Sequence, residues 1–227
     1  MASPASAGIG CSNRCAERLN PSLLPLRPFP PLHWWRAAQS PGVRVDVGEH
    51  YPKRSFRNRF SLATASGMTS VTLPVLRRGG VPRPQSETLR SRGDDVKLWR
   101  SIQTAYGATP YFEEMKPELK ALFLDGPDDL GAWNWASIRW SAEWLGVKVP
   151  AASEAQMVER GTVGHDAEDE RLRALCAPDL QPWPHIWQDR MTPDCGALSV
   201  LDLLLHCGPE AAGRITPLPP SGSRRPE

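Results

Sequence analysis

Three observations on the sequence predict a mixed α/β fold, with strands and a hairpin toward the front and a helical set packed behind them. Short runs rich in β-branched residues, Val43-Arg44-Val45-Asp46-Val47 and Val71-Thr72-Leu73-Pro74-Val75, come early, and period-2 alternation of this kind marks strands. From Asp94 to Gly146 the apolar residues instead recur at helical spacing. Val147 and Val149 then return to an extended pattern before a last leucine-rich helix. That order suits an α/β or α+β domain and leaves the strand order open.

Each element has its own signal. Leu23-Leu24-Pro25 opens the ordered part, and prolines precede a short helix carrying Leu32, Trp34 and Trp35, where a helix tolerates them. Gly42 ends that helix, and the valine alternation follows as a strand. A second extended run is expected from Ser55 to Thr64, turning at Ser66-Gly67 into the Val71–Val75 run as a hairpin. Leu98, Ile102, Ala105 and Tyr106 share a helical face, with Gly107 as the stop. Pro110 introduces the next helix, with Tyr111, Leu119, Leu122 and Phe123 inward. A third starts near Asp128 and stacks Leu130, Trp133, Ser137, Trp140 and Trp144 on one face up to Gly146. Tryptophans in such a stripe belong in a core more often than on a ligand platform, because each ring buries so much area. The last helix runs from Ser199 to Cys207 and stops at Gly208-Pro209.

Composition bounds the rest. At 227 residues the chain suits one sizeable domain. Residues 21–212 are expected to form it, with 1–20 and 213–227 as disordered ends, because both are poor in apolar period and rich in small residues or proline. Residues 77–95, with five arginines among glycines and prolines, read as a mobile basic loop. A net charge of +2 is too small to imply nucleic acid. The five cysteines lack the spacing of a disulfide framework or a metal site, so free thiols are expected, and no metal or cofactor. With no apolar segment of signal-peptide or membrane-spanning length, the expected location is the cytoplasm. Oligomeric state is left open.

Two segments carry candidate chemistry. Read as extended, Gly48 to Phe60 would place Tyr51, Lys53, Ser55, Arg57 and Arg59 on one face and anchor the other through Phe56 and Phe60. Clustered guanidinium groups suit a phosphate or carboxylate; the plainer reading is an edge strand guarded by cations. Asp46, Glu49 and His50 lie just upstream, and a carboxylate beside an imidazole is how a general base is built. The second segment has Ser199, Asp202 and His206 along one helical face, with Ser199 placed to cap the helix. Side chains lying side by side on one helix make a poor catalytic triad, and capping with a buried hydrogen bond is the simpler expectation. No nucleotide-binding glycine motif, zinc-protease motif or nucleophile elbow is present.

Taken together, several segments resemble the WbqC-like family. They are Leu23-Leu24-Pro25, Phe29-Pro30-Pro31-Leu32 with Trp34-Trp35, Tyr51 to Arg59 with its Arg57-Asn58-Arg59, Gly67 followed by Val71 to Val75, Trp99 to Phe112, and Leu198 to Ala211. The resemblance implies a bacterial protein of cell-surface polysaccharide (O-antigen) biosynthesis that transfers a small acyl or amino-acyl group to a sugar. The alternative is a non-catalytic binding or assembly protein for anionic carbohydrates in the same pathway. It implies an anionic small-molecule substrate, a nucleotide sugar or acyl donor, and no nucleic acid or membrane partner. The candidate ligand-binding residues are Lys53, Arg57, Asn58, Arg59 and Ser199; the candidate catalytic residues are Asp202, His50 and Glu49. His206 stands where asparagine is more usual in the family, and the stretch from Val158 to Asp194 is short.

Overall fold

A computed structural model describes residues 23–51, 55–76, 84–153, 182–189 and 194–215. The fold is mixed α/β. Strand β1 (Leu23–Pro25), β2 (Arg44–Asp46) and β5 (Ala151–Ser153) form a parallel sheet in the order β1-β2-β5. Leu23 pairs with Arg44, which pairs in turn with Ala151. Parallel neighbours need a crossover, and helix α1 (Leu32–Ala38) supplies the one from β1 to β2. Every residue of α1 is buried, and Gly42 makes the turn out of it at φ 79°.

The expected hairpin forms from β3 (Arg59–Thr64) and β4 (Gly67–Thr72), with Thr64 opposite Gly67. Its first strand is shorter than the sequence pattern predicts. Ser55 caps a 3₁₀ turn over Phe56–Asn58, its hydroxyl accepting the Arg57 N–H at 3.3 Å. A serine that can satisfy a nearby N–H competes with the ladder, so the chain coils before it extends. Consequently Phe56 is 37% exposed while Phe60 is buried, and the pair does not form one apolar anchor.

Helices α2 (Asp95–Tyr106), α3 (Phe112–Leu124) and α4 (Leu130–Leu145) follow as expected. Asp129 caps α4 through the Ala132 N–H at 2.6 Å, and Gly146 ends it in the left-handed conformation, φ 62°. The tryptophan stripe is core: Trp133 is fully buried, and the Trp140 and Trp144 indoles both donate to Glu118. At the centre lies Phe29, whose ring meets Phe60, Trp133, Trp140 and Phe123 at 5.2–6.0 Å. Its φ of 38° is strained for a residue with a side chain. Burial of this ring and the bond from its N–H to Ser137 Oγ, 3.1 Å, hold it there.

Two further expectations are corrected. The strand after α4 is Ala151–Ser153, so Val147 and Val149 only lead into it. Of the predicted basic loop, Arg77, Arg78 and Arg83 lie outside the described residues, but Arg90 and Arg92 are fixed. Arg90 is buried, bonded to Asp95 at 2.8 Å and stacked over Trp133. Arg92 reaches Asp128 and the carbonyls of Leu124 and Gly126, so it caps the end of α3.

Helix α5 (Val200–Cys207) is buried along its whole length. It begins where the Ser199 N–H donates to the Ser61 carbonyl of β3, 3.1 Å, and ends at Gly208, φ 51°. A methyl group on Gly208 would stand 2.4–2.6 Å from the Tyr111 ring. Gly208→Ala is therefore expected to lower stability by about 3 kcal/mol, combining an unfavourable φ with a clash, as read by urea denaturation. No helix among the described residues is long and apolar enough to cross a membrane. Cys195 and Cys207 are buried and form no disulfide among the described residues, while Cys11, Cys15 and Cys176 lie outside them.

Candidate active site

The carboxyl ends of parallel strands are where α/β folds place ligands, and here β2 ends on Asp46. Its Oδ1 accepts the Gly48 N–H at 3.0 Å, which turns the chain away from the sheet. Its Oδ2 is buried with no hydrogen-bond partner among the described residues. Burial first, then the neighbouring Glu49 carboxylate, push the Asp46 pKa up to about 6, against the pull of Gly48, Arg57 and His50.

Glu49 is buried too and is held from two sides. Arg57 donates through Nε at 2.9 Å and through Nη2, and Gln85 Nε2 lies 3.3 Å from the other oxygen. Asn134 of α4 completes the frame, donating to the Arg57 carbonyl at 2.7 Å and to Gln85 Oε1 at 2.8 Å. The backbone is pinned as well, by Gln85 N–H to the Glu49 carbonyl, 3.0 Å, and by a bridge between His50 and Pro84. Arg57 is 1% exposed, so its guanidinium neutralises a buried carboxylate. His50 is exposed at the surface of this frame. An imidazole therefore faces solvent in the field of a buried carboxylate that sits at the end of a strand.

The remaining candidates have other surroundings. Asn58 turns its amide to the Leu73 carbonyl, 2.8 Å, and ties the two hairpin strands together at their open end. Arg59 is half-buried at the head of β3, and its Nε lacks a partner among the described residues. Lys53 lies outside the described residues. Ser199 occupies the N-cap position of α5, yet its hydroxyl makes no cap bond and is buried without a partner among the described residues. The expected capping interaction is thus replaced by a backbone one.

Asp202 belongs to a second cluster, on α5. The Tyr106 hydroxyl donates to Oδ2 at 2.8 Å, Trp183 Nε1 to Oδ1 at 2.9 Å, and His185 Nε2 to Oδ2 at 2.9 Å. His206, one turn along, donates Nδ1 to the Asp202 carbonyl at 2.8 Å and stacks on His185 with ring centres 4.0 Å apart. Burial alone would raise the Asp202 pKa, but the bonds from His185 and His206 outweigh it and hold the carboxyl well below the usual carboxylate range. Burial and the Asp202 charge conversely push the Tyr106 phenol well above its ordinary value.

The ligating atoms of His185, Asp202 and His206 lie within 4.8 Å of one another, close enough to hold a metal ion. The hydrogen bonding opposes that use. Trp187 N–H donates to His185 Nδ1 at 3.2 Å and Ile186 N–H to His206 Nε2 at 3.3 Å. These donors assign the ring protons to the nitrogens that face Asp202. A metal taking those nitrogens would move the protons to the far side, N–H against N–H, whereas a ligating histidine needs an acceptor there. The cluster is a satisfied hydrogen-bond knot joining α2, α5 and the 182–189 segment. Tyr106 also receives the Ala63 N–H at 3.1 Å, which links the knot to β3.

Sequence reasoning missed Tyr106, Trp183, His185, Gln85 and Asn134. Around Asp202, only His206, four residues away, carried a local signal.

The fold and this geometry define an α/β protein with a polar site at the carboxyl end of a short parallel sheet. The chain belongs to the WbqC-like protein family, which it matches over residues 44–178. That span contains Asp46, Glu49, His50, Arg57, Gln85 and Asn134; Ser199 and Asp202 fall beyond it. The chain is also similar to the uncharacterized protein Rv1507c of Mycobacterium tuberculosis (strain ATCC 25618 / H37Rv), 28% identical over 128 residues, 56% of this chain and 53% of that protein. It therefore spans about half the length of this curated relative. No solved structure matches the chain.

Proposed function

We propose that this protein transfers a small acyl or amino-acyl group to a sugar during assembly of a bacterial cell-surface polysaccharide, with His50 as general base. The observation that carries the reading is Asp46: a fully buried carboxylate, its pKa raised to about 6, in the electrostatic field of an exposed imidazole at the end of a parallel strand. Perturbed carboxylates of this kind gather at functional sites. In the proposed reaction a sugar hydroxyl or amine attacks the acyl carbon, and His50 takes its proton. The bond from the acyl carbon to its carrier breaks, and the same proton leaves with the carrier. Asp46 stabilises the imidazolium in between. Glu49, already neutralised by Arg57, acts as the frame. Arg59, half-buried at the head of β3 with an Nε that has no partner among the described residues, is the better candidate for an anionic group on the donor. Asp202, held ionised by its donors, is a structural carboxylate.

A thermal-shift screen against nucleotide sugars, acyl-CoA thioesters, amino acids and phosphate, followed by mass spectrometry of the best pair, tests the reading. We expect a donor and a sugar that each stabilise the protein and together give an acylated sugar. His50→Ala should keep both shifts and lose about a hundredfold in product formation. Stabilisation by a sugar with no product from any donor would favour the non-catalytic binding reading.

A further inference from the structure

We propose that Phe56 is the platform on which the sugar ring stacks beside His50, an inference that rests on the transferase reading above. The sequence pattern places Phe56 inside, and the structure places it outside. The turn capped by Ser55 carries Phe56 out to 37% exposure, and Phe56 is the exposed aromatic among the large apolar side chains on the described surface.

The ring is not left loose. The Arg27 guanidinium, itself 6% exposed, stacks on it at 4.8 Å from the ring centre. Arg27 follows β1 by two residues, so it rises from the same carboxyl end of the sheet as Asp46. A buried cation under one face fixes the ring and leaves the remaining surface for a partner; a ring already held loses little freedom on binding.

Its position selects the partner. Phe56 immediately precedes Arg57 and His50 immediately follows Glu49, and Arg57 grips Glu49. Phe56 and His50 are therefore the chain neighbours of the two residues of one buried ion pair. On this placement the group stacked on Phe56 is the sugar that reacts at His50. The base of a nucleotide sugar lies two phosphates away from it. Of the tryptophan stripe, the other aromatic surface the sequence offers, Trp133 and Trp140 are buried and the half-buried Trp144 is tied to Glu118. The apolar face of a pyranose, with its row of C–H groups, is thus the chemistry the platform takes.

Saturation-transfer NMR on the full-length protein tests this with N-acetylglucosamine, UDP and UDP-N-acetylglucosamine as probes. We expect the strongest saturation on the pyranose C–H protons. Phe56→Ala should abolish that pattern and weaken binding about tenfold, as loss of one aromatic contact implies. Phe56→Trp should retain it, and so should His50→Ala, which removes only the base. Unchanged binding by Phe56→Ala, or saturation centred on the uracil protons and lost in that variant, would overturn the platform while leaving the transferase reading intact. Absence of sugar binding to the wild-type protein would overturn it as well. Formation of acylated product that depends on His50 but not on Phe56 separates that outcome from failure of the transferase reading.

Discussion

Asp202→Ala is expected to remove at least 4 kcal/mol of stability. The carboxylate accepts from the Tyr106 hydroxyl, the Trp183 indole and His185, all enclosed. Alanine would leave these donors buried and unpaired, at about 1–3 kcal/mol each. Because a domain's total stability is about 5–15 kcal/mol, the variant should be barely folded at room temperature. Asp202→Asn keeps one accepting oxygen and should lose about half as much. The pH dependence has a definite sign. A carboxyl whose folded-state pKa is depressed contributes stability that is complete above its unfolded value, about 4, and is lost as pH falls. The gap between wild type and Asp202→Asn in urea denaturation should therefore be widest near neutral pH and shrink below pH 4. A loss under 1 kcal/mol for Asp202→Ala would mean that the knot does not hold α5 in place.

How much of this could be read from the sequence depends on how local each cause is. Helix α4 was legible at both ends, because Asp129 and Gly146 act on the adjacent turns, and its tryptophan stripe recurs at helical spacing. The hairpin was legible from β-branched runs around a glycine. The turn at Phe56–Asn58 was not. The alternation from Lys53 to Arg59 fits a strand, and only the competing bond from the Ser55 hydroxyl decides against it. The polar frame was hidden for a different reason. Arg57 and Asn134 are 77 residues apart, and Asn134 and Gln85 49 apart. An asparagine in the middle of an apolar helix signals that a buried partner exists without saying which. Tyr106 and Asp202, separated by 96 residues, show the same limit. Asp46, Glu49 and His50 were visible as neighbours, but that Asp46 and Glu49 would be buried and His50 exposed follows from β2 lying between β1 and β5.

That contrast sets the second large expectation, which concerns Asp46. A carboxyl with a raised folded-state pKa works against folding once it ionises. With the folded value at about 6 and an unfolded value near 4, ionisation lowers stability across that window, by on the order of 2–3 kcal/mol at pH 7. Asp46→Asn removes the charge, so at pH 7 the variant should be more stable than wild type by about that amount, and the difference should vanish as pH falls to 4. On the proposed transferase reading, the same substitution should reduce transfer about a hundredfold at pH 7, because an uncharged amide cannot stabilise the His50 imidazolium. A variant that gains stability and loses activity is the behaviour expected where a protein keeps a strained group for function. A variant that is destabilised at neutral pH would show that Asp46 is paired in the folded protein, and the case for His50 as a general base would lose its main support. A variant that is stabilised and fully active would place the chemistry away from the end of β2. Urea denaturation at pH 4 and pH 7, with the transfer assay at pH 7, separates the three.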